Sequence, residues 1–220
     1  FEMLDEDDAA PLAALDRPTA ADVARAVGWA RSGWPPFVIY APVFEAALSA
    51  GARLVAAHPT RDTLRVAMTE GVDGWPATRR ARLGLDRPLP AEAQADLRQR
   101  IIDTHCGHAP EHIIEPMALA QRVKDGWMAW RLLQATGERG GVLIAGGEHV
   151  RRDRGVPWFL ALQDQRPAIS VAFAEVADGQ TAPPSDSPFD YVWFTPRLDD
   201  LDPCEKFKAQ LEQMKAGRRR

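Results

Sequence analysis

The run Val142-Leu143-Ile144-Ala145 is apolar and of strand length, and it ends on Gly146-Gly147-Glu148-His149 with Arg151 and Arg154 close behind. In an open α/β sheet, ligands collect beyond the carboxyl ends of the strands, so a site is expected here. The paired glycines permit close backbone approach. His149 can act as ligand or proton shuttle, and Arg151 and Arg154 can hold a carboxylate. A plainer reading stands beside this one, since a strand followed by Gly-Gly also occurs at any sharp bend and the arginines can form a solvated face. A second group, His105-Cys106-Gly107-His108 with His112, gathers three of the five histidines. Imidazole and thiolate invite a zinc reading, but no second ligand pair follows at zinc-site spacing. A free cysteine also serves as a small buried hydrophobe. The third candidate is the stripe Ile114, Met117, Ala118, Gln121, Asp125, Met128 and Leu132, whose three- and four-residue steps put it on one helix face. That face is mostly apolar and should turn to the core, where a carboxylate needs a partner or a metal. Either Asp125 pairs with an arginine or caps a loop, or Gln121 and Asp125 point together into a pocket.

These residues need elements to position them, and the chain alternates strand-length apolar runs with helical patterns, as βα units do. Strands are predicted at Phe1–Leu4, Phe37–Tyr40, Arg53–Ala57, Val142–Ala145, Ile169–Glu175 and Tyr191–Thr195. Helices are predicted at Thr19–Arg31, Pro42–Ala50, Asp62–Glu70, Ala91–Thr104, Pro116–Thr136, Val156–Gln163 and Cys204–Ala216. Thr19 with Asp22 reads as a capping box with Asp in the Glu position, and Gly51 and Gly137 suit left-handed helix ends. The expected fold is α/β, a mostly parallel central sheet flanked by helices. Residues 71–110, which open on a Gly- and Pro-rich stretch, are expected to be a helical insertion within a single domain. A linker-like segment is expected at Asp178–Pro188.

Composition narrows the function classes. The 220 residues carry 27 basic and 31 acidic side chains, a formal charge of −4. The only basic run is Arg218-Arg219-Arg220, so there is no stripe to neutralise nucleic-acid phosphates and no nucleic-acid partner is expected. No apolar window of about 18 residues occurs that could cross a membrane. A chain of this length can build one core without disulfides, and two cysteines make no disulfide framework. Cys106 and Cys204 are too far apart in sequence for their pairing to be read either way. The opening Phe1-Glu2-Met3-Leu4 reads as the middle of a strand, so an upstream segment is expected to be missing.

The same stretches resemble the ChaN family of bacterial haem-binding proteins, a branch of the superfamily that also holds the Tiki proteases, the TraB proteins and the erythromycin-esterase-like hydrolases. The resemblance rests on Phe1-Glu2-Met3, Gly33-Trp34-Pro35 with Tyr40 and Pro42, His105-Cys106-Gly107, and Gln121 through Asp125 to Met128-Ala129. It continues in order through Ile144 to Arg151, Gly155-Val156-Pro157, Asp190-Tyr191-Val192-Trp193 and Asp202-Pro203-Cys204-Glu205. It implies a non-enzymatic α/β protein of secreted or lipid-anchored type in the cell envelope, periplasm or outer membrane. Such a protein serves haem or iron uptake, forms a homodimer around haem and meets an outer-membrane haem receptor. It implies as well an upstream Gly-x-x-His motif that this sequence begins too late to contain. Haem iron takes His, Cys, Met or Tyr as axial ligand, and arginines suit its propionates. His149 and Tyr40 are therefore expected near the iron, Arg151 or Arg154 at the propionates, and Gln121, Asp125 and His105 around the pocket. The rival reading is a metal-dependent hydrolase, in which Glu2, His149 and the upstream histidine hold manganese, cobalt or zinc and activate a water.

Overall fold

The computed structural model describes residues 1–137, 140–163, 168–176, 182, 185–197, 202, 204–205 and 208. Helices dominate them. In chain order these are α1 (Ala9–Ala13), α2 (Ala20–Ala26), α3 (Ala41–Ser49), α4 (Arg61–Glu70), α5 (Ala77–Arg82), α6 (Ala91–Thr104), α7 (Glu111–Ala135) and α8 (Val156–Gln163). The strands β1 (Val171–Glu175) and β2 (Tyr191–Thr195) pair in parallel with Phe173 opposite Trp193. No helix among the described residues is long and apolar enough to cross a membrane.

The helix starts follow local chemistry. Thr19 accepts from the Asp22 amide while Asp22 reaches back to the Thr19 amide, a complete capping box that opens α2. The longer helix expected there is broken at Gly28, which adopts φ 61° and separates α2 from a single 3₁₀ turn at Trp29–Arg31. Gly51 takes the left-handed conformation after α3, as expected. Gly137 does not, because α7 leaves through an extended Thr136. Phe37–Tyr40 is not the strand its composition suggests. It forms a 3₁₀ turn, Phe37–Ile39, leading straight into α3, since Pro42 presets a helical φ in the first turn.

The sheet is smaller than expected. Among the described residues the pair β1–β2 is the only sheet, so the mixed α/β class holds while a mostly parallel central sheet is not present as a regular ladder. Segments 1–4, 53–58 and 142–146 nevertheless run side by side. Glu2 N–H donates to Ile144 O (3.0 Å), Ala57 N–H to Phe1 O (3.1 Å) and His58 N–H to Leu4 O (3.0 Å). A single parallel bridge joins Asp5 and His58. Segment 1–4 turns too soon to extend this pairing. The expected helix Cys204–Ala216 and the linker at Asp178–Pro188 lie largely outside the described residues.

Helix α7 organises the core. Its buried residues include Ile114, Ala118, Val123, Trp127, Met128 and Ala129, which cover more than one face. It packs on α6 through Ile114 and Ala118 against Leu97 and Ile101. It packs on α8 through Val123 and Met128 against Val156 and Phe159. Gly126 lets the end of α5 approach α7, because a Cβ there would run into the Leu83 carbonyl. A second core, Phe1, Leu4, Val23, Trp29 and Phe44, anchors the first segment under α2 and α3. Burying roughly one such aliphatic or aromatic side chain contributes about 1.5–3 kcal/mol, so segment 1–4 is firmly held at the base of the site.

Candidate functional site

Three elements deliver three ionisable side chains to one buried point. Segment 1–4 brings Glu2, α7 brings Asp125, and the loop after Ala145 brings His149. They are 7%, 2% and 5% exposed respectively, where an unpaired charge is not tolerated. His149 Nδ1 lies 2.6 Å from Asp125 Oδ1, and Nε2 lies 3.2 Å from Glu2 Oε1. The other Glu2 oxygen accepts the Gly146 amide at 2.7 Å. The Gln121 amide end stands 3.0 Å from Nδ1. Amide N and O are distinguished only by their partners, and a donating Nδ1 requires the oxygen there.

The loop that carries His149 is held by its own backbone. His149 N–H donates to Gly146 O (2.9 Å), Gly155 N–H to Arg151 O (2.9 Å) and Val156 N–H to His149 O (2.7 Å). The glycine this turn requires is Gly155, where a Cβ would collide with the His149 and Arg151 carbonyls. At Gly146 a Cβ would meet Glu2 at ordinary contact distance, and at Gly147 it would meet nothing. The Gly146-Gly147 pair is thus less demanding than the sequence suggests.

The electrostatics follow from this packing. Burial pushes the His149 imidazole toward neutrality, but Asp125 and Glu2, on either side, overcome it and hold the proton well above the ordinary histidine range. Burial likewise pushes Glu2 up, and the hydrogen bond and charge of His149 with the Gly146 amide bring it down to about 2. Asp125, the deepest of the three, is raised by burial to about 6 despite His149. Two carboxylates around one imidazolium leave an excess of negative charge, and the Lys124 ammonium tempers it at both. The arrangement is a buried ion triad with both imidazole nitrogens engaged.

The other expected residues are not gathered here. Arg154 is 3% exposed and pairs with Glu148 (2.7 Å) and Asp96. Arg151 pairs with Asp153 (2.6 Å) and Asp96 (3.2 Å). Both guanidinium groups are thereby tied to the chain's own carboxylates. His105 sits at the end of α6 with Nδ1 against Ile101 O at 2.7 Å. Its neighbour Cys106 forms a disulfide with Cys204, Cα atoms 5.6 Å apart, which removes the thiolate a zinc site would use. Among the described residues no three His, Cys, Asp or Glu side chains are grouped to hold a bare metal ion. Tyr40 packs against Trp29 and Trp34, ring centroids 5.1 and 6.2 Å apart. Burial and the Glu2 charge raise its phenol above the usual value.

One cavity opens beside the triad. Its volume is about 260 Å³, and its lining includes Glu2, Met3, Val27, Arg31, Trp34, His58 and Arg61. Asp5, Asp7 and Asp8 lie along another side, with Asp5 and Asp8 engaged in a capping box. Sequence reasoning missed His58, Arg31 and Arg61. A signal for His58 existed: like His149, it follows an apolar run, Leu54-Val55-Ala56-Ala57, where sheet-end sites form. The arginines carried none, since they reach the cavity from α2's exit and the start of α4.

Comparison with known proteins adds one finding. A family model described as "Haem-binding uptake, Tiki superfamily, ChaN" matches residues 1–160. Neither the curated proteins nor the solved structures yield a match to this chain.

Proposed function

Because this chain belongs to the ChaN haem-binding uptake family of the Tiki superfamily, we propose that it binds haem at the cavity beside Glu2 and serves bacterial haem or iron uptake. The observation that carries this placement is the cavity's lining. Met3, Val27 and Trp34 offer an apolar and aromatic wall, and Arg31 and Arg61 offer cations to two propionates. The Arg31 guanidinium has no hydrogen-bond or ion-pair partner among the described residues, while that of Arg61 reaches the Ser32 carbonyl. A porphyrin brings four ligands to its iron and asks the protein for one or two. That demand suits a chain in which no three-ligand cluster is assembled among the described residues.

In this reading Glu2 lines the cavity and is backed by His149, which Asp125 and Gln121 hold in turn, while Tyr40 packs against the lining residue Trp34. Arg151 and Arg154 brace the loop that holds His149 rather than meet the propionates. At about 260 Å³ the cavity lies below the roughly 300–1,000 Å³ usual for small-molecule pockets. A haem seated there keeps one edge outside, available to a second copy of the chain or to an outer-membrane haem receptor. The Cys106–Cys204 disulfide supports residence in the cell envelope, since disulfides persist in oxidising compartments. Segments 1–4, 53–58 and 142–146 are read as neighbours in a parallel sheet that is only partly laddered, with residues 71–110 as the helical insertion.

A hemin titration followed by visible absorbance tests the proposal. The expected result is a saturable, stoichiometric Soret shift, weakened when Arg31 and Arg61 are both replaced by Ala. No saturable shift overturns it, and chelator-sensitive ester or peptide hydrolysis in its place would favour the metal-dependent hydrolase.

A further inference from the structure

Many arginines of this chain, such as Arg25, Arg65, Arg98, Arg100 and Arg154, each face a carboxylate. Arg79, Arg82 and Arg131 face indole rings instead. The Arg79 guanidinium carbon stands 3.9 Å from the ring centroid of Trp75 and 5.4 Å from that of Trp127. Those of Arg82 and Arg131 stand 5.4 and 5.7 Å from the ring centroid of Trp130. Trp127 and Trp130 meet edge to face, centroids 5.4 Å apart, so the three cations share one aromatic platform.

The two helices build this platform from short sequence steps. The residues Ala77-Thr78-Arg79-Arg80-Ala81-Arg82 of α5 include no acid, and a three-residue step puts Arg79 and Arg82 on one side. Trp127, Trp130 and Arg131 follow at steps of three and four on α7. Trp75 and Trp127 are buried, which fixes their rings and keeps them from reaching outward. Two more arginines border the platform. Arg80 is taken up by the carbonyls of Asp73 (2.8 Å) and Trp75 (2.6 Å). Arg53, which is exposed, reaches Ala135 O at the end of α7, one turn beyond Arg131.

None of these five arginines has a carboxylate partner among the described residues, and Glu6 acts on Arg79 only from beyond ion-pair distance. The Arg131 Nε donates to Ala56 O (3.1 Å), while the guanidinium donors of Arg79 and Arg82 are taken by no described residue. A guanidinium held over a ring keeps its N–H groups along its edge, where they match the oxygens of a phosphate. The chain as a whole carries a charge of −4, so this basic face is a segregation of charge and not an overall excess. The Cys106–Cys204 disulfide belongs to an oxidising compartment, where lipid headgroups are the extended phosphate surface.

We propose that the face made by α5 and the C-terminal half of α7 docks on an anionic phospholipid surface. Arg79, Arg82 and Arg131 meet headgroup phosphates, and Arg53 adds charge at the edge. The contact is electrostatic, because the indoles beneath the arginines are too deep to enter the bilayer. It goes beyond the haem reading and does not depend on it.

Flotation of the full chain with vesicles tests the proposal, using phosphatidylcholine alone and phosphatidylcholine mixed with phosphatidylglycerol. Binding is expected only to the mixed vesicles, and it should weaken as salt is raised. Replacing Arg79, Arg82 and Arg131 together by Gln should weaken it about a hundredfold, roughly fivefold for each charge. Should that variant fold poorly, Arg82→Glu alone, at an exposed position, is expected to weaken binding about tenfold or more. Arg25→Gln, which removes a cation already paired with Asp22, should change binding by about twofold or less. No uptake by the mixed vesicles overturns the proposal, as does uptake that survives both the triple change and Arg82→Glu. Tighter binding to a duplex oligonucleotide at equal phosphate, or release of the bound protein by matched inorganic phosphate, overturns it too, making the face a nucleic-acid or single-anion site.

Discussion

Two polar clusters hang from the loop 146–155, and they solve the same problem in different media. On one side His149 meets Asp125 and Glu2, all at most 7% exposed. On the other, Arg154 is equally buried, but its partners Asp96 and Glu148 have side chains 56% and 32% exposed. In the first cluster every charge depends on its neighbours, because water cannot replace any of them. In the second, the acids keep access to solvent and the arginine has several interchangeable partners. The residue types, His with two acids and Arg with two, look equally functional in sequence. Their accessibility makes one a rigid buried triad, with both imidazole nitrogens engaged, and the other a brace.

The comparison can be broken most sharply at His149. Replacing it by Ala leaves two carboxylates buried without a partner, and removing one member of a buried ion pair costs about 3–5 kcal/mol. Urea unfolding should show this loss, and a cost below that of any surface pair would mean water reaches the triad. Gly155→Ala strikes both clusters at once by pushing on the carbonyls of His149 and Arg151. An overpacking cost of about 1–3 kcal/mol is expected, visible as a lower urea midpoint with unchanged slope. Arg154→Leu should cost least, about 1 kcal/mol or less, because Asp96 and Glu148 can return to water as surface partners do. A cost equal to that of His149→Ala would erase the distinction between the clusters.

The pH dependence of stability sharpens it further. Glu2 is held below its ordinary value of 4.5, so its contribution is present above that pH and is lost as pH falls toward 2. His149 is raised above 6.5, so its contribution is complete below that value and is lost as pH rises toward 10. Asp125, raised from 3.8 to about 6, binds its proton better when folded and therefore takes stability away as pH climbs through that interval. Unfolding free energies measured from pH 3 to 10 should thus show an alkaline decline in wild type that flattens in His149→Gln. An unchanged alkaline limb in that variant would show that the decline originates elsewhere.

Much of the helical frame was legible locally. The bounds of α6 and α8, and the Thr19–Asp22 cap, follow from side chains acting within a turn or two of themselves. Pairing of Gln121 with Asp125 on one face was also legible, as was the need of Asp125 for a partner. That the partner is His149, 24 positions away, was not, since spacing says nothing of which distant loop folds over α7. The sheet was misjudged for a related reason. The apolar runs at 1–4, 53–57 and 142–145 are strand-like by composition, but a ladder is a property of neighbours and not of a segment.

What the sequence determined by itself is what short-range forces decide: where helices start, which faces are apolar, which residue types with chemical capacity exist, and the family order of motifs. What only the tertiary structure decided is which of those groups remain available. Long-range contacts closed the Cys106–Cys204 disulfide, tied Arg151 and Arg154 to acids, and engaged both nitrogens of His149. They also left His58, on the cavity's lining, with Nδ1 turned to the Pro59 carbonyl and Nε2 without a partner among the described residues. Hydrogen-bonding capacity is written in the residue, but its use depends on what packs against it, and that is settled only when the chain has closed on itself.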